Sequence, residues 1–178
     1  MARTVPTSAT ASPGQFITGA LWNAQVKATT DFLTGVPVCS VYATSVQSMP
    51  GSNAMTALNF DTEVLDSDGG HSTVTNTSRY TATVPGTYLV IGTVAWVSNT
   101  TGDRRIQIGL NGSGVVGSAT SFDPVNAVIC AHQTQALVPM NGTTDYVEVM
   151  VAQASGTSLS TSAGGAFSPS MRVIWISR

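Results

Sequence analysis

Charge is what this chain has least of. Charged side chains make up 9% of its 178 residues, against about 25% in an ordinary soluble domain. Lysine occurs once, at Lys27, and the only adjacent basic pair is Arg104-Arg105. Nothing in that set neutralises a run of phosphates, so no nucleic-acid partner is expected. Long apolar runs are also missing. No stretch reaches the roughly 18 apolar residues of a membrane span, so no membrane insertion is expected. The opening MARTVPTSATASPG lacks the apolar centre of an export signal, and Sec export is not indicated. The two cysteines, Cys39 and Cys130, then read as buried thiols, with a disulfide between them left open.

Catalytic patterns are absent as well. There is no Gly-x-Ser-x-Gly elbow and no Gly-rich phosphate loop leading into a helix. The two histidines, His71 and His132, stand outside any nucleophile or zinc spacing; Cys130-x-His132 alone makes no site. Both read as hydrogen-bonded strand or loop residues. The chain is expected not to be an enzyme.

Hydrophobic residues make up 42% of the chain, so it has enough apolar material for one core. Ser, Thr, Asn and Gly take the place of charge. A surface of hydroxyls and amides is cheaper to bury against neighbours than a charged one. This points to a component of an assembly. Asn76, Asn99 and Asn141 begin Asn-x-Ser/Thr triplets and, without an export signal, read as plain loop residues.

Along the chain, the first fifteen or so residues are too poor in apolar side chains to fold alone and are expected to lie on a partner surface. In TGALWNAQVKATTDFLTGVP, the apolar residues Leu21, Trp22, Val26, Phe32 and Leu33 approximate helical spacing. Thr18 is a suitable N-cap, and Gly35 with Pro37 ends the run, which predicts one amphipathic helix over 18–34. From Val38 onward the pattern is β, with eight to ten short strands joined by Gly, Pro and Asn turns such as Asn111-Gly112 and Asn141-Gly142. That predicts an all-β jelly-roll sandwich over 38–178, preceded by an arm and helix over 1–37. The run 87–97 is apolar on both faces, with Tyr88, Val90, Val94 and Trp96 on one and Leu89, Ile91, Ala95 and Val97 on the other. A second apolar face requires a covering segment or another subunit.

The stretch FDTEVLDSDGG gathers four of the chain's nine acids, Asp61, Glu63, Asp66 and Asp68. Asp66-Ser67-Asp68-Gly69 begins like a calcium loop, but Thr77 stands where that motif needs its closing glutamate. No metal site is assigned, and these four acids are the only candidate ligands. The favoured reading is a strand, with Phe60, Val64 and Leu65 inward, ending in an Asx-type turn.

These residues also carry a resemblance. ALNFDTEVLDSDGGHSTVTNTSRYTATVPGTYLVIGTVAWVSNTTGDRRIQIGLNG, followed later by DYVEVMVAQASGTSLST and SMRVIWI, resembles a segment that recurs in virion proteins of tailed bacteriophages. The whole is similar to the TNF/C1q-like jelly roll, whose Gly-x-Tyr strand is matched by Gly86-Thr87-Tyr88. LWNAQVKATTDFLTGVP is similar to the anchoring segment that precedes such domains in phage head and tail proteins. The resemblance implies a homotrimer packed through apolar and aromatic residues, for which Tyr88, Val90, Val94, Trp96 and Trp175 are the candidates. It implies a docking arm, with Val5, Phe16, Ile17, Leu21, Trp22, Val26 and Phe32 meeting the major capsid protein or another virion protein. Calcium, found near the axis of some family members, is the one cofactor to test for, although no ligand carries over residue by residue. The implied role is a capsid decoration, head fibre or cement protein on the virion exterior, assembled in the host cytoplasm. The alternative is a tail-tip protein that binds a host surface glycan.

Overall fold

The long run after Pro85 sets the architecture. Its β-branched and aromatic residues alternate sides at the period of a strand, and both sides are apolar. The computed structural model describes residues 3–10, 12–124 and 129–178, and in it this run is one strand of eleven residues, Gly86–Trp96. The run NAVICAHQTQALVPMNG (126–142) reads as a further strand, and its first three residues lie outside the described residues. In chain order the strands are β1 Val38–Tyr42, β2 Ser48–Met49, β3 Thr56–Ala57, β4 Thr62–Asp66, β5 Arg79–Thr81, β6 Gly86–Trp96 and β7 Arg104–Leu110. There follow β8 Ser113–Gly114, β9 Thr120–Phe122, β10 Cys130–Met140, β11 Tyr146–Gln153, β12 Leu159–Ser160 and β13 Ser170–Ser177.

Two antiparallel sheets face each other. One has the order β10-β6-β13-β1-β4; the other runs β3-β11-β7-β8, with β5 also pairing β11 and β9 pairing β7. The space between them is filled by Tyr80, Tyr88, Trp96, Phe60, Ile108 and Met171, all fully buried. At Gly92 the sheets come so close that a Cβ would lie 2.8 Å from both Cγ atoms of Val149. Only glycine fits there. Asn111 and Gly112 both adopt positive φ, 52° and 79°, and form the tight turn from β7 to β8 that their sequence predicts.

Before the sandwich, one helical segment runs as α1 Gly19–Trp22, a π-helical turn Asn23–Lys27 and α2 Ala28–Thr34. The Thr18 hydroxyl caps it by accepting from the Leu21 N–H at 3.2 Å. The arm folds back beside it. The Ala9 N–H donates to Gln25 Oε1 at 2.8 Å, and Arg3 pairs with Asp68 at 2.7 Å. Arm and helix thus form a hairpin, helical on one leg only, rooted on the jelly roll.

The root corrects one expectation. Phe32, expected to dock on a partner, is 6% exposed and sits edge-on against Trp175, ring centroids 4.9 Å apart. It belongs to this chain's own core, because the helix ends on the sandwich and carries its last aromatic residue inward. Val5, also expected to dock, is half-buried against the same core.

Candidate interaction surfaces

The acidic stretch is the first place to look for chemistry. Burial pushes the Asp61 carboxyl up, but the Thr44 hydroxyl and N–H and the Thr62 hydroxyl outweigh it and hold the group below its usual range. Its oxygens accept from Thr44 Oγ1 at 2.7 Å and Thr44 N at 3.0 Å. Glu63 meets Nδ1 of His71 at 2.9 Å, while Nε2 of the same ring faces the Thr77 carbonyl at 3.1 Å. Asp66 accepts the N–H groups of Asp68, Gly69 and His71 at 3.3, 3.0 and 2.8 Å, closing the turn. Asp68 takes Arg3 and the Thr83 hydroxyl, the latter at 3.0 Å.

Each acid is therefore committed to donors of its own. Among the described residues no three ligand-type side chains converge on one point. The stretch is a clasp that ties the arm, β4 and the following turn together. Beside it the Cys39 thiol is pushed up by burial and by Asp66 and Glu63, and no disulfide joins it to Cys130.

The clasp also changes which way β4 faces. Phe60 is fully buried as expected, but Val64 is 70% exposed and Leu65 about half exposed. A bulge opposite Ser40/Val41 shifts the register, so that Val41 lies opposite Glu63 and Cys39 opposite Asp66. The acids take the inward parity to reach His71 and the turn, and the two apolar residues are turned out.

A second polar cluster lies at the other end of the sandwich. Arg104 is almost fully buried, and its guanidinium donates to the carbonyls of Thr101, Gly102 and Asp103 and to Asn99 Oδ1 at 2.9 Å. It pins the loop before β7 from within, a structural use for half of the chain's one basic pair. Arg105 is spent on Asp103 at 2.7 Å and holds that carboxyl below its usual range. His132 is 6% exposed, stacked on Phe122, and burial with Arg104 nearby drives its pKa down to about 4. Neither ring nitrogen has a protein partner among the described residues.

The outer face of the five-stranded sheet was expected to offer Tyr88, Val90, Val94, Trp96 and Trp175 to a partner. The structure reverses this: all five point into the sandwich and are buried within the single chain. Tyr88 donates to the Val84 carbonyl at 2.6 Å, and Trp175 Nε1 to the Pro85 carbonyl at 3.2 Å. The opposite parity faces out. Cross-strand pairing places Leu137, Leu89, Ile174 and Val38 side by side in one apolar row across β10, β6, β13 and β1.

The next rows turn polar, with Gln135, Ile91, Arg172 and Ser40, then Gln133, Thr93, Ser170 and Tyr42. An open cleft of about 750 Å³ lies over this polar half, overhung by Phe167. Among the described residues Arg172 has no ion-pair partner. These outward residues are what the sequence reading missed.

The hairpin is the third surface. Phe16 is 88% and Ile17 74% exposed at its far end, and Trp22, Val26 and Leu33 are exposed along the helix. Leu21, expected to dock, is half-covered by the chain's own arm. No helix among the described residues is long and apolar enough to cross a membrane.

Comparisons with known proteins add a fold. No family model matches the chain, and no curated protein matches it. Solved structures do. The globular domain of zebrafish complement 1qA superposes with a TM-score of 0.59 at 13% identity, over 80% of this chain and 98% of that one. Murine APRIL at pH 5.0 superposes with a TM-score of 0.54 at 12% identity, over 78% of this chain and 98% of that one. Identities this low speak to architecture alone. With two antiparallel sheets in this order, the chain has a TNF/C1q-like jelly-roll fold preceded by an extended arm and one helical segment.

Proposed function

We propose that this protein is a homotrimeric component of the exterior of a bacteriophage virion, a capsid decoration whose jelly rolls face outward and whose hairpin holds the particle. The observation that carries the reading is the far end of the hairpin. Phe16 and Ile17 stand side by side in solvent, 88% and 74% exposed, where the arm turns back into the helix. Adjacent exposed apolar residues at the tip of a projection mark a contact site. The low charge of the chain agrees, since hydroxyls and amides are cheaply covered in an assembly. Self-association uses the outward row Leu137, Leu89, Ile174 and Val38, of which Leu137 is 62% exposed and the other three are half-buried. The partner at the hairpin tip is the major capsid protein or another virion protein, and no catalytic role is proposed.

The test uses the full chain. Phe16→Ser with Ile17→Ser should leave fold and mass unchanged and abolish copurification with DNA-filled heads that lack tails. Retained binding of the double variant overturns the docking role, and recovery of the wild type only with isolated tails overturns the decoration role.

One observation favours a second reading. The cleft beneath Phe167 combines Arg172 with Tyr42, Gln133 and Ser170, a mixture of cation, ring and hydroxyl that suits an acidic sugar. A tail-tip protein gripping a host surface glycan would use it. Loss of host-cell binding in Arg172→Gln, with tail incorporation intact, would select that reading.

A further inference from the structure

The outward face of the five-stranded sheet is neutral except at one point. In the three rows that cross β10, β6, β13 and β1, Arg172 is the only charged side chain. No acid is found among the described residues that line the cleft over it. Around it stand groups that both donate and accept, namely the Ser40 and Tyr42 hydroxyls and the Gln133 amide. The Thr93 and Ser170 hydroxyls are bonded to each other at 2.6 Å. One donates to the other, so the pair keeps one O–H to give. Phe167, half-exposed, overhangs this polar floor. It is carried there by the short 3-10 turn Gly165–Phe167, which Gly164 and Gly165 enter at positive φ, 119° and 58°. The Gly164 N–H donates to the Ser168 hydroxyl at 3.1 Å and closes the turn.

We infer that this cleft binds one carboxylated sugar residue, with Arg172 taking the carboxylate, the sheet hydroxyls and Gln133 reading the ring hydroxyls, and Phe167 covering the C–H face of the ring. The inference rests on the host-glycan reading and names the part of the glycan that is read; nothing in it requires a tail location. Three features select this ligand. A planar guanidinium meets a carboxylate through two parallel N–H···O bonds. A single cation balances a single negative charge, whereas a phosphoryl group brings about −1.5 to −2 and would be left half neutralised. An acidic peptide would supply the carboxylate but few hydroxyls to answer those on the sheet. The volume of about 750 Å³ lies within the about 300–1,000 Å³ of small-molecule sites. The placement also fits. The Trp175 N–H donates to the Pro37 carbonyl at 2.9 Å, so the helix joins the sheet at the row of Val38 and Ile174. Tyr42 and Ser170 lie four residues further along their strands, about 13 Å at the rise of a strand. The cleft thus opens at the end of the sheet away from the hairpin's root.

The test is calorimetric titration of full-length protein with oligosaccharides of galacturonate, glucuronate and N-acetylneuraminate. Each is run beside its methyl ester, which keeps the shape and removes the charge. At least one acid should bind about tenfold or more tightly than its ester, as hydrogen bonds to a charged group imply. Arg172→Gln should weaken the acid alone and abolish that difference. Phe167→Ala should weaken acid and ester alike and keep their ratio. Both side chains are exposed, so both variants should melt with the wild type. Binding of none of the acids, or an acid–ester ratio that Arg172→Gln leaves unchanged, overturns the inference. So does a glutamate peptide that binds as tightly as the sugars, since the cleft then reads an acid and not a sugar. Host-cell adhesion measured alongside separates the two claims. Adhesion without acid-sugar binding overturns the inference and leaves the host-glycan reading standing; acid-sugar binding without adhesion overturns the host-glycan reading alone.

Discussion

Replacing Phe32 by alanine separates an independent docking arm from a helix that is part of the jelly roll. Phe32 is 6% exposed, and its ring meets Trp175 edge-on at 4.9 Å. Removing a buried phenylalanine forfeits the transfer energy of the ring and leaves a void, together about 3–5 kcal/mol. The loss of the aromatic pair is contained in that figure, at about 0.5–1.5 kcal/mol. Trp175 would also lose the packing that holds it while its Nε1 donates to the Pro85 carbonyl, so the effect should reach the turn into β6. For a domain of this size each kcal/mol moves the melting midpoint by about 2–4 °C, so the midpoint should fall by roughly 6–20 °C. Phe16→Ala is the control, since Phe16 is 88% exposed and such surface changes stay within about 0.5 kcal/mol. Midpoints are compared at one protein concentration, because self-association adds a concentration term. If Phe32→Ala melts with the wild type, the helix is not part of the core and the assignment is wrong.

Four further outcomes follow from the polar clusters and the sheet contact. His132 has its pKa lowered to about 4 in the fold by burial and Arg104, against about 6.5 in an unfolded chain. Below that value the unfolded chain binds a proton that the fold refuses, so stability should fall as pH drops from about 6.5 towards 4. The loss approaches about 3 kcal/mol at its limit, and His132→Phe should remove this share of the slope in urea melts. Gly92→Ala should cost about 1–3 kcal/mol by forcing a methyl onto Val149, and Val149→Ala in the same chain should recover part of it; strictly additive losses would count against the close approach. Asp66→Ala strands three backbone N–H groups and should cost about 1–3 kcal/mol. Melts of the wild type in calcium and in chelator should coincide, whereas a calcium-dependent rise would make the acids ligands after all.

Much of the architecture was legible because strand and helix periods are local. The capped helix over 18–34, the eleven-residue strand from Gly86 and the Asn-Gly turn at 111–112 all follow from spacing and turn chemistry, and the jelly roll follows from their number. The facing of β6 was not legible from that strand alone. With apolar residues on both parities, alternation says that two faces exist and not which one meets the other sheet. A signal was present elsewhere. Arg172 shares its parity in β13 with Ile174 and Ile176, and a charge with no partner belongs outside. Pairing of Ile174 with Leu89 would have carried that choice to β6 and placed Tyr88 and Trp96 inside.

The misfacing of β4 had no such local cue. Val64 and Leu65 are turned out because Glu63 must reach His71 and Asp66 must close its turn, and a bulge opposite Ser40/Val41 makes room for both. Hydrophobicity alone assigns Val64 and Leu65 inward, and hydrogen bonds made eight and five residues away override it. A hydrogen bond to a charged group contributes about 1.5–3 kcal/mol, and the bonds that Glu63 and Asp66 make to His71 and the turn together offset the about 1.5–3 kcal/mol that each exposed side chain costs.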